Sequence, residues 1–291
     1  MIDTFKKYYR KFFADKLFII KVSGKIVTDI TARENLVKNI SEFINDDINV
    51  LLIYGGGDAI DASLKEANIE SLKIDGRRIT RAEDIKVIKK TLVGDLGFKI
   101  LESFVKYKLP ANVLNALPPH WGYAIRRKKH EDTIRFDGSL DMIDSDAVRD
   151  HFLSTNLCAF PCLALTDEGT TLNVNADNMA IAIATKTNAD KLILMSDIDG
   201  VKVDGKVQSV LSARECEQLI ADNIATDGMR VKLENCIFAV RNGVQRVHIL
   251  NGFAENALRD EVYSNKGVGT MIVRAAEKEQ YMHQEVEGNL S

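Results

Sequence analysis

The chain has 291 residues, 45% hydrophobic and 28% charged, with a formal net charge of -3. That supports a large core in one domain or two lobes, and with no global basic excess it points to small-molecule chemistry rather than nucleic acid. No apolar run reaches the roughly 18 residues needed to span a bilayer, so no membrane partner is expected.

The start, "MIDTFKKYYRKFFADK", has no long apolar core of a secretory signal, which points to the cytoplasm. Within it, residues 4–13 carry aromatic residues at helical spacing with lysines and an arginine between them. This predicts an amphipathic helix over residues 1–15, packed on its own domain or docked on another subunit. "LFIIKV" and "NVLLIY" then read as buried strands. The second is closed by Gly55-Gly56-Gly57, and helical patterns follow each. "AEDIKVIKKTLVGDLGFKILESFVKYK" reads as one long helix ended before Pro110.

The segment from Leu117 to Asp144 is less regular. It holds Pro118-Pro119, the single tryptophan and a basic run from Arg126 to Lys129, and it reads as hairpins or an excursion loop. The basic run fits a solvated face, with an anion-recruiting lid as the sharper alternative. "CAFPCLAL", "DKLILMSDIDGV", "RVHILNG" and "GVGTMIV" read as further strands. "NVNADNMAIAIATKTN" and "TDGMRVKLENCIFAVRNGV" contain helices, and the tail from Ala275 reads as polar and frayed. The alternation predicts an α/β fold with a mostly parallel central sheet. Cys158, Cys162, Cys216 and Cys236 lack C-x-x-C spacing and read as reduced, buried thiols.

In such a sheet, ligands sit at the carboxyl ends of the strands. Lys21-Val22-Ser23-Gly24, the Gly55–Gly57 turn and Ser196-Asp197 all fall there. Two glycine-rich turns feeding helices imply two anion sites. A lysine at one of them suggests phosphoryl transfer, which needs charge neutralisation more than covalent chemistry. Lys232 would supply a second ammonium group, and Asp177 could orient both. Mg²⁺ is expected with the nucleotide, held largely by phosphates and water. No residue is assigned as a metal ligand. Taken singly, each feature has a plainer reading: a tight turn, a surface lysine, a helix cap.

The run "IIKVSGK … IYGGGDAI … IDGRRIT … NVNADNMAIAIA … DKLILMSDIDG … TDGMRVK … GVGTMIV" resembles the amino acid kinase family and, within it, the N-acetyl-L-glutamate kinase branch. The resemblance spans about residues 16–273. It implies a three-layer α/β/α sandwich over residues 16–275. Residues 16–180 would form the acyl-amino-acid lobe and 181–275 the ATP lobe, with 276–291 as a polar tail. It implies ATP and N-acetyl-L-glutamate as substrates in arginine biosynthesis. Lys21 and Lys232 would stabilise the transferring phosphoryl group, with Asp177 holding both. Gly56, Gly57, Arg78 and Asn173 would bind the acceptor, with Arg78 on its α-carboxylate. Ser23, Gly24, Ser196 and Asp197 would border the nucleotide.

Two features depart from the pattern. Ser23 stands where the family's usual K-x-G-G has glycine. Pro118 to Trp121 occupy the place of an expected glycine-rich hairpin within residues 115–139. The N-terminal helix and "ENALRDEVYSNKGVGTMIV" resemble arginine-sensitive members, implying a homo-oligomer, dimer or hexamer, inhibited by arginine. Two rivals remain. One is the same fold acting on an aminoadipate derivative or UMP; the other is a silent arginine-sensing module.

Overall fold

The computed structural model describes residues 9–74, 77–128, 134–264 and 267–279. Its frame is an eight-stranded sheet. In chain order the strands are β1 (Leu17–Val22), β2 (Asn49–Tyr54), β3 (Ala111–Val113), β4 (Leu157–Pro161), β5 (Lys191–Ser196), β6 (Val210–Ser212), β7 (Arg246–Asn251) and β8 (Thr270–Val273). They lie in the order β6-β8-β7-β5-β1-β2-β4-β3. Each neighbouring pair is parallel except β7 and β8. Every residue of β1 and of β5 is buried. A parallel sheet is covered on both faces, which is why these strands read as unbroken apolar runs.

The helices are α1 (Gly24–Thr28), α2 (Ile30–Asn45), α3 (Gly57–Glu66), α4 (Ala82–Lys89), α5 (Gly97–Lys106), α6 (Ser145–His151), α7 (Ala176–Lys186), α8 (Ala213–Ala221), α9 (Asp227–Arg241) and α10 (Ala257–Tyr263). α2 packs with α5 and α10, while α7, α8 and α9 pack together as a second group. The result is the expected three-layer α/β/α sandwich. Side chains that cap the helix starts fix where several of them begin. Asp29 accepts from the Ala32 N–H, and Ser212 with Glu215 forms a capping box on α8. No helix among the described residues is long and apolar enough to cross a membrane.

β1 lies between β2 and β5, so the chain leaves neighbouring strand ends toward opposite sides and opens a crevice there. The single long helix expected over Ala82 to Lys108 is divided. A π-helical segment, Lys90–Leu96, joins α4 to α5. Its Leu92 and Leu96 press on the glycine turn: a Cβ at Gly56 would lie 2.5 Å from Leu92 Cδ2. A side chain at Gly56 would have to push the Leu92 and Leu96 side chains aside.

The irregular middle does build a hairpin, Gly122–Arg126 against Asp137–Ile143. It joins Thr171–Val174 and Leu163–Leu165 in a four-stranded sheet. Of the two readings of this segment, hairpins or an excursion loop, the structure adopts a hairpin. A side chain at Gly122 would meet the Met142 carbonyl at 2.1 Å. The preceding Pro118–Trp121 turn is a core plug. Trp121 is fully buried, edge-on to His151 at 5.1 Å and Phe160 at 5.9 Å.

At the N-terminus residues 9–13 are helical, while residues 4–8 of the predicted helix lie outside the described residues. Phe13 is buried edge-on to Phe18 of β1 at 5.3 Å, so this end packs on its own domain. The tail does not fray at once. Residues 275–279 are helical, and Lys278 pairs with Glu215 at 2.7 Å. Residues 280–291 lie outside the described residues. All four cysteines are free and buried. Burial pushes the Cys162 thiol up to about 11 and the Cys158 thiol up to about 12, so neither is a ready nucleophile.

Candidate active site

The crevice at the ends of β1 and β2 contains a cavity of about 300 Å³, within the range of small-molecule sites. Every predicted site residue lines it except Lys232, Ser196 and Asp197, which stand beside it at the end of β5 and on α9. The structure thus gathers positions from Lys21 to Lys232 into one place.

Lys21 is nearly buried, and its Nζ lies 2.9 Å from Asp177 Oδ1. Asp177 sits in the first turn of α7 but does not cap it. The cap is Asn175, whose side chain accepts from the Asn178 N–H at 3.0 Å. Asp177 is therefore free to face the lysines. Burial alone would raise its carboxyl pKa. Lys21, and then Lys232, outweigh that effect and hold it below the usual carboxylate range. Lys232 is half-buried on α9 and donates to Ser196 Oγ at 3.3 Å. Burial lowers its pKa against the opposing pull of Asp177. One carboxylate thus acts electrostatically on two ammonium groups brought from β1 and α9.

The two glycine turns touch behind this set. A Cβ on Gly24 would lie 2.7 Å from Gly56 Cα, so a side chain there would force the turns apart. Gly56 caps α3 and Gly57 begins it, which aims free backbone N–H groups into the cavity. Ser23 Oγ is buried and has no hydrogen-bond partner among the described residues. Its hydroxyl does not cap α1 and remains available as a donor.

Arg78 is held firmly at the cavity wall. It pairs with Asp61 Oδ1 at 2.7 Å, bonds Ser71 Oγ, and donates to the Gly57 carbonyl at 3.3 Å. Gly76, which opens its G-x-R-x-T run, lies outside the described residues. Asn173 donates to Thr80 Oγ1 at 3.1 Å, which fixes its amide at the cavity wall.

Two basic residues outside the predicted site set also stand at the cleft. Lys25 pairs with Asp197 at 2.7 Å and lies 3.7 Å from Asp58, bridging the end of β5 to the first turn of α3. Its signal in sequence was only its place after the Ser-Gly turn. Arg127, from the basic run, lines the cavity with Arg77 and Asp137. That overturns the solvated-face reading for Arg127. Arg126 instead lies over the Phe136 ring at 4.7 Å, and Lys129 is outside the described residues. Among the described residues no group of three or more acidic, histidine or cysteine side chains forms a metal cluster.

The amino acid kinase family model matches residues 16–251. An acetylglutamate kinase from Kosmotoga olearia is 32% identical over 264 residues, covering 91% of this chain and 93% of its own. One from Methanosphaera stadtmanae is 29% identical over 278 residues, with the same coverage of each chain. Among solved structures, an N-acetylglutamate synthase from Neisseria gonorrhoeae, complexed with coenzyme A and N-acetyl-glutamate, superposes with a TM-score of 0.84 at 21% identity. That match covers 94% of this chain, which spans only 63% of the synthase's length. By the family match and the identity to these relatives, the chain belongs to the amino acid kinase family.

Proposed function

We propose that the protein is an ATP-dependent carboxylate kinase. It phosphorylates the γ-carboxylate of N-acetyl-L-glutamate to N-acetyl-L-glutamyl 5-phosphate, in arginine biosynthesis. The observation that carries this reading is Asp177 acting on both Lys21 and Lys232 beside two touching glycine turns. Relatives named acetylglutamate kinase that align over most of the chain support it.

In the reaction, a γ-carboxylate oxygen attacks the γ-phosphorus of ATP. A new O–P bond forms, the bond to the β,γ-bridging oxygen breaks, and ADP leaves with the electron pair. The acceptor is already ionised at neutral pH, so no general base is required. Lys21 and Lys232 neutralise the charge on the transferring group, and Asp177 keeps both aimed at it. Gly56 and Gly57 present N–H groups to the acceptor. Arg78 takes the α-carboxylate in a fork, and Asn173 takes the acyl-amide side. Ser23 and Gly24 approach the phosphates, and Ser196 and Asp197 border the nucleotide. Mg²⁺ suits this donor set as a companion of ATP, held by phosphate oxygens and water, because Asp177 is the carboxylate already committed to the lysines. When bound it neutralises phosphate charge.

The division of labour is residues 16–180 for the acceptor and 181–275 for ATP, with 276–291 as a tail and the cytoplasm as the setting. The protein is a homo-oligomer. Exposed Phe98 and Val105 on α5 lie beside the sheet-edge strand β3, a face suited to a second copy. Arginine is its inhibitor, bound where Tyr9 and Phe13 meet Glu261 and His248. Sizing the protein with and without residues 1–14 tests the hexamer, and calorimetric titration with arginine tests the inhibitor.

The deciding assay is ADP release with N-acetyl-L-glutamate, L-glutamate and UMP as separate acceptors. Turnover with N-acetyl-L-glutamate that is lost in Lys21→Ala and Lys232→Ala supports the reading. Turnover with UMP alone overturns it, and none with any acceptor favours a sensing module.

A further inference from the structure

Arg78 stands on a short hairpin, Lys73–Ile74 against Arg77–Arg78, in which no residue is fully buried. A two-stranded ribbon of this kind is marginal by itself. Its base is closed where the Ile79 N–H donates to the Leu72 carbonyl at 2.9 Å, with Ile79 buried beneath it. Above that base, Lys73 and Arg78 are direct cross-strand partners. Like charges facing each other across a strand pair push it apart.

Asp61 answers both. Its Oδ2 lies 2.7 Å from Lys73 Nζ, and its Oδ1 lies 2.7 Å from Arg78 Nη2. Burial would raise its carboxyl pKa, and Lys73, Arg78 and Ser71 outweigh that and hold it below the usual carboxylate range. One carboxylate thus staples both strands of the hairpin at one register position. The Arg78 side chain is only 8% exposed, so its guanidinium would be a poorly solvated charge without that partner. Ser71 Oγ and the Gly57 carbonyl accept from the same guanidinium.

Asp61 belongs to α3, about one turn beyond Gly57. One helix therefore carries the N–H groups of the Gly56–Gly57 turn at its start and, through Asp61, the guanidinium of Arg78. We infer that Asp61 is a positioning residue: it holds Arg78 at a fixed span from the Gly56–Gly57 turn, and that span selects the length of the dicarboxylic acceptor. This rests on the carboxylate-kinase reading above and names what sets acceptor length within it. An acceptor one methylene shorter or longer can satisfy the arginine or the phosphoryl site, but not both at once.

The test measures kcat and KM with N-acetyl-L-glutamate, N-acetyl-L-aspartate and N-acetyl-L-2-aminoadipate as acceptors. Asp61→Asn should raise KM for N-acetyl-L-glutamate by about tenfold or more, the scale of a hydrogen bond to a charged group, and leave KM for ATP unchanged. Its preference for the glutamate derivative over the other two should shrink by a similar factor. Asp61→Glu should recover part of both. Ser71→Ala removes a milder tie and should move the same quantities about two- to fivefold. In an Arg78→Gln background Asp61→Asn should add little, because it acts through that arginine. Wild-type turnover with an unchanged acceptor KM and preference in Asp61→Asn overturns the assignment alone. So does a KM rise shared equally by ATP, a pair of losses that multiply in the double variant, or a wild type that uses the three acceptors equally. If Asp61→Asn does not fold, Ser71→Ala decides, and an unchanged preference in it overturns the assignment. Wild-type inactivity with all three acceptors overturns the kinase reading, and the length selection with it.

Discussion

Two lysines on neighbouring strands meet opposite surroundings. Lys21 lies near the carboxyl end of β1, and Lys191 opens β5 beside it, paired with Phe18. Both are nearly buried, 8% and 3% exposed. Lys21 faces a carboxylate at 2.9 Å. Lys191 faces the rings of Phe13 at 4.9 Å and Phe18 at 5.9 Å, and lies 3.2 Å from His248 Nε2. Burial, helped by Arg246, pushes Lys191 down to about 7 against Glu261. Burial, and then Lys191, pushes His248 down to about 4. His248 Nδ1 is 2.7 Å from Glu261, whose carboxyl is held at about 2. Burial opposes that low value, and His248 with the Val268 and Gly269 N–H groups outweighs it. At equal depth, the partner in contact decides what a buried lysine can do. A carboxylate in contact makes it a tool for anions, and burial without one, helped by Arg246, makes it a titrating core group.

The sharpest way to break this contrast is at the cleft. Lys21→Ala should cut kcat by about 10²–10³-fold, the scale of one lost transition-state donor, measured as ADP release. Lys232→Ala should act similarly.

At the other end of the sheet the sign reverses. Lys191→Met removes a poorly matched buried amine and should stabilise the fold by about 1–4 kcal/mol, read from urea unfolding at neutral pH. The pH dependence follows from linkage. The unfolded chain holds this lysine near 10.5 and the folded chain near 7, so the unfolded state binds more protons between those values. Wild-type stability should therefore gain a rising contribution from about pH 7 to 10.5, which Lys191→Met flattens. A destabilised variant would show that the amine is needed for packing instead.

The cleft has its own titration. Burial lowers the Lys232 pKa, so turnover should fall on the alkaline side before an ordinary lysine deprotonates. Lys232→Arg should move that limb upward, and a pH profile unchanged by it would assign the limb elsewhere. The smallest effect belongs to Lys25, whose exposed bridge between Asp58 and Asp197 is readily screened. Lys25→Ala should change KM for ATP by only about two- to fivefold, and less at high salt.

Much of this was legible in the chain itself. "LFIIKV", "NVLLIY" and "DKLILMSDIDGV" are apolar enough to read as buried parallel strands, and the glycines after the first two mark where backbone must approach a ligand. The order of Lys21, Gly56, Asp177 and Lys232 within that alternation identified the chemistry. Other elements were hidden. β3 has three residues, too few for a period to show, and is a strand because β4 pairs with it. The π segment carries ordinary helical residues and departs from α geometry where it presses on Gly56. Trp121 sits in a segment whose pattern reads as hairpins or an excursion loop, and is a core plug because Phe160 and His151 close around it.

The sequence alone determined the strand-turn-helix frame and the charged groups needed to move a phosphoryl group, because both depend on local pattern. Tertiary structure decided which charges are matched. Arg135 forks onto Asp137, with Nε 2.9 Å from Oδ1, while Arg127 pairs with the same carboxylate at 3.7 Å. That difference depends on how a hairpin folds over a cavity, and no local spacing encodes it.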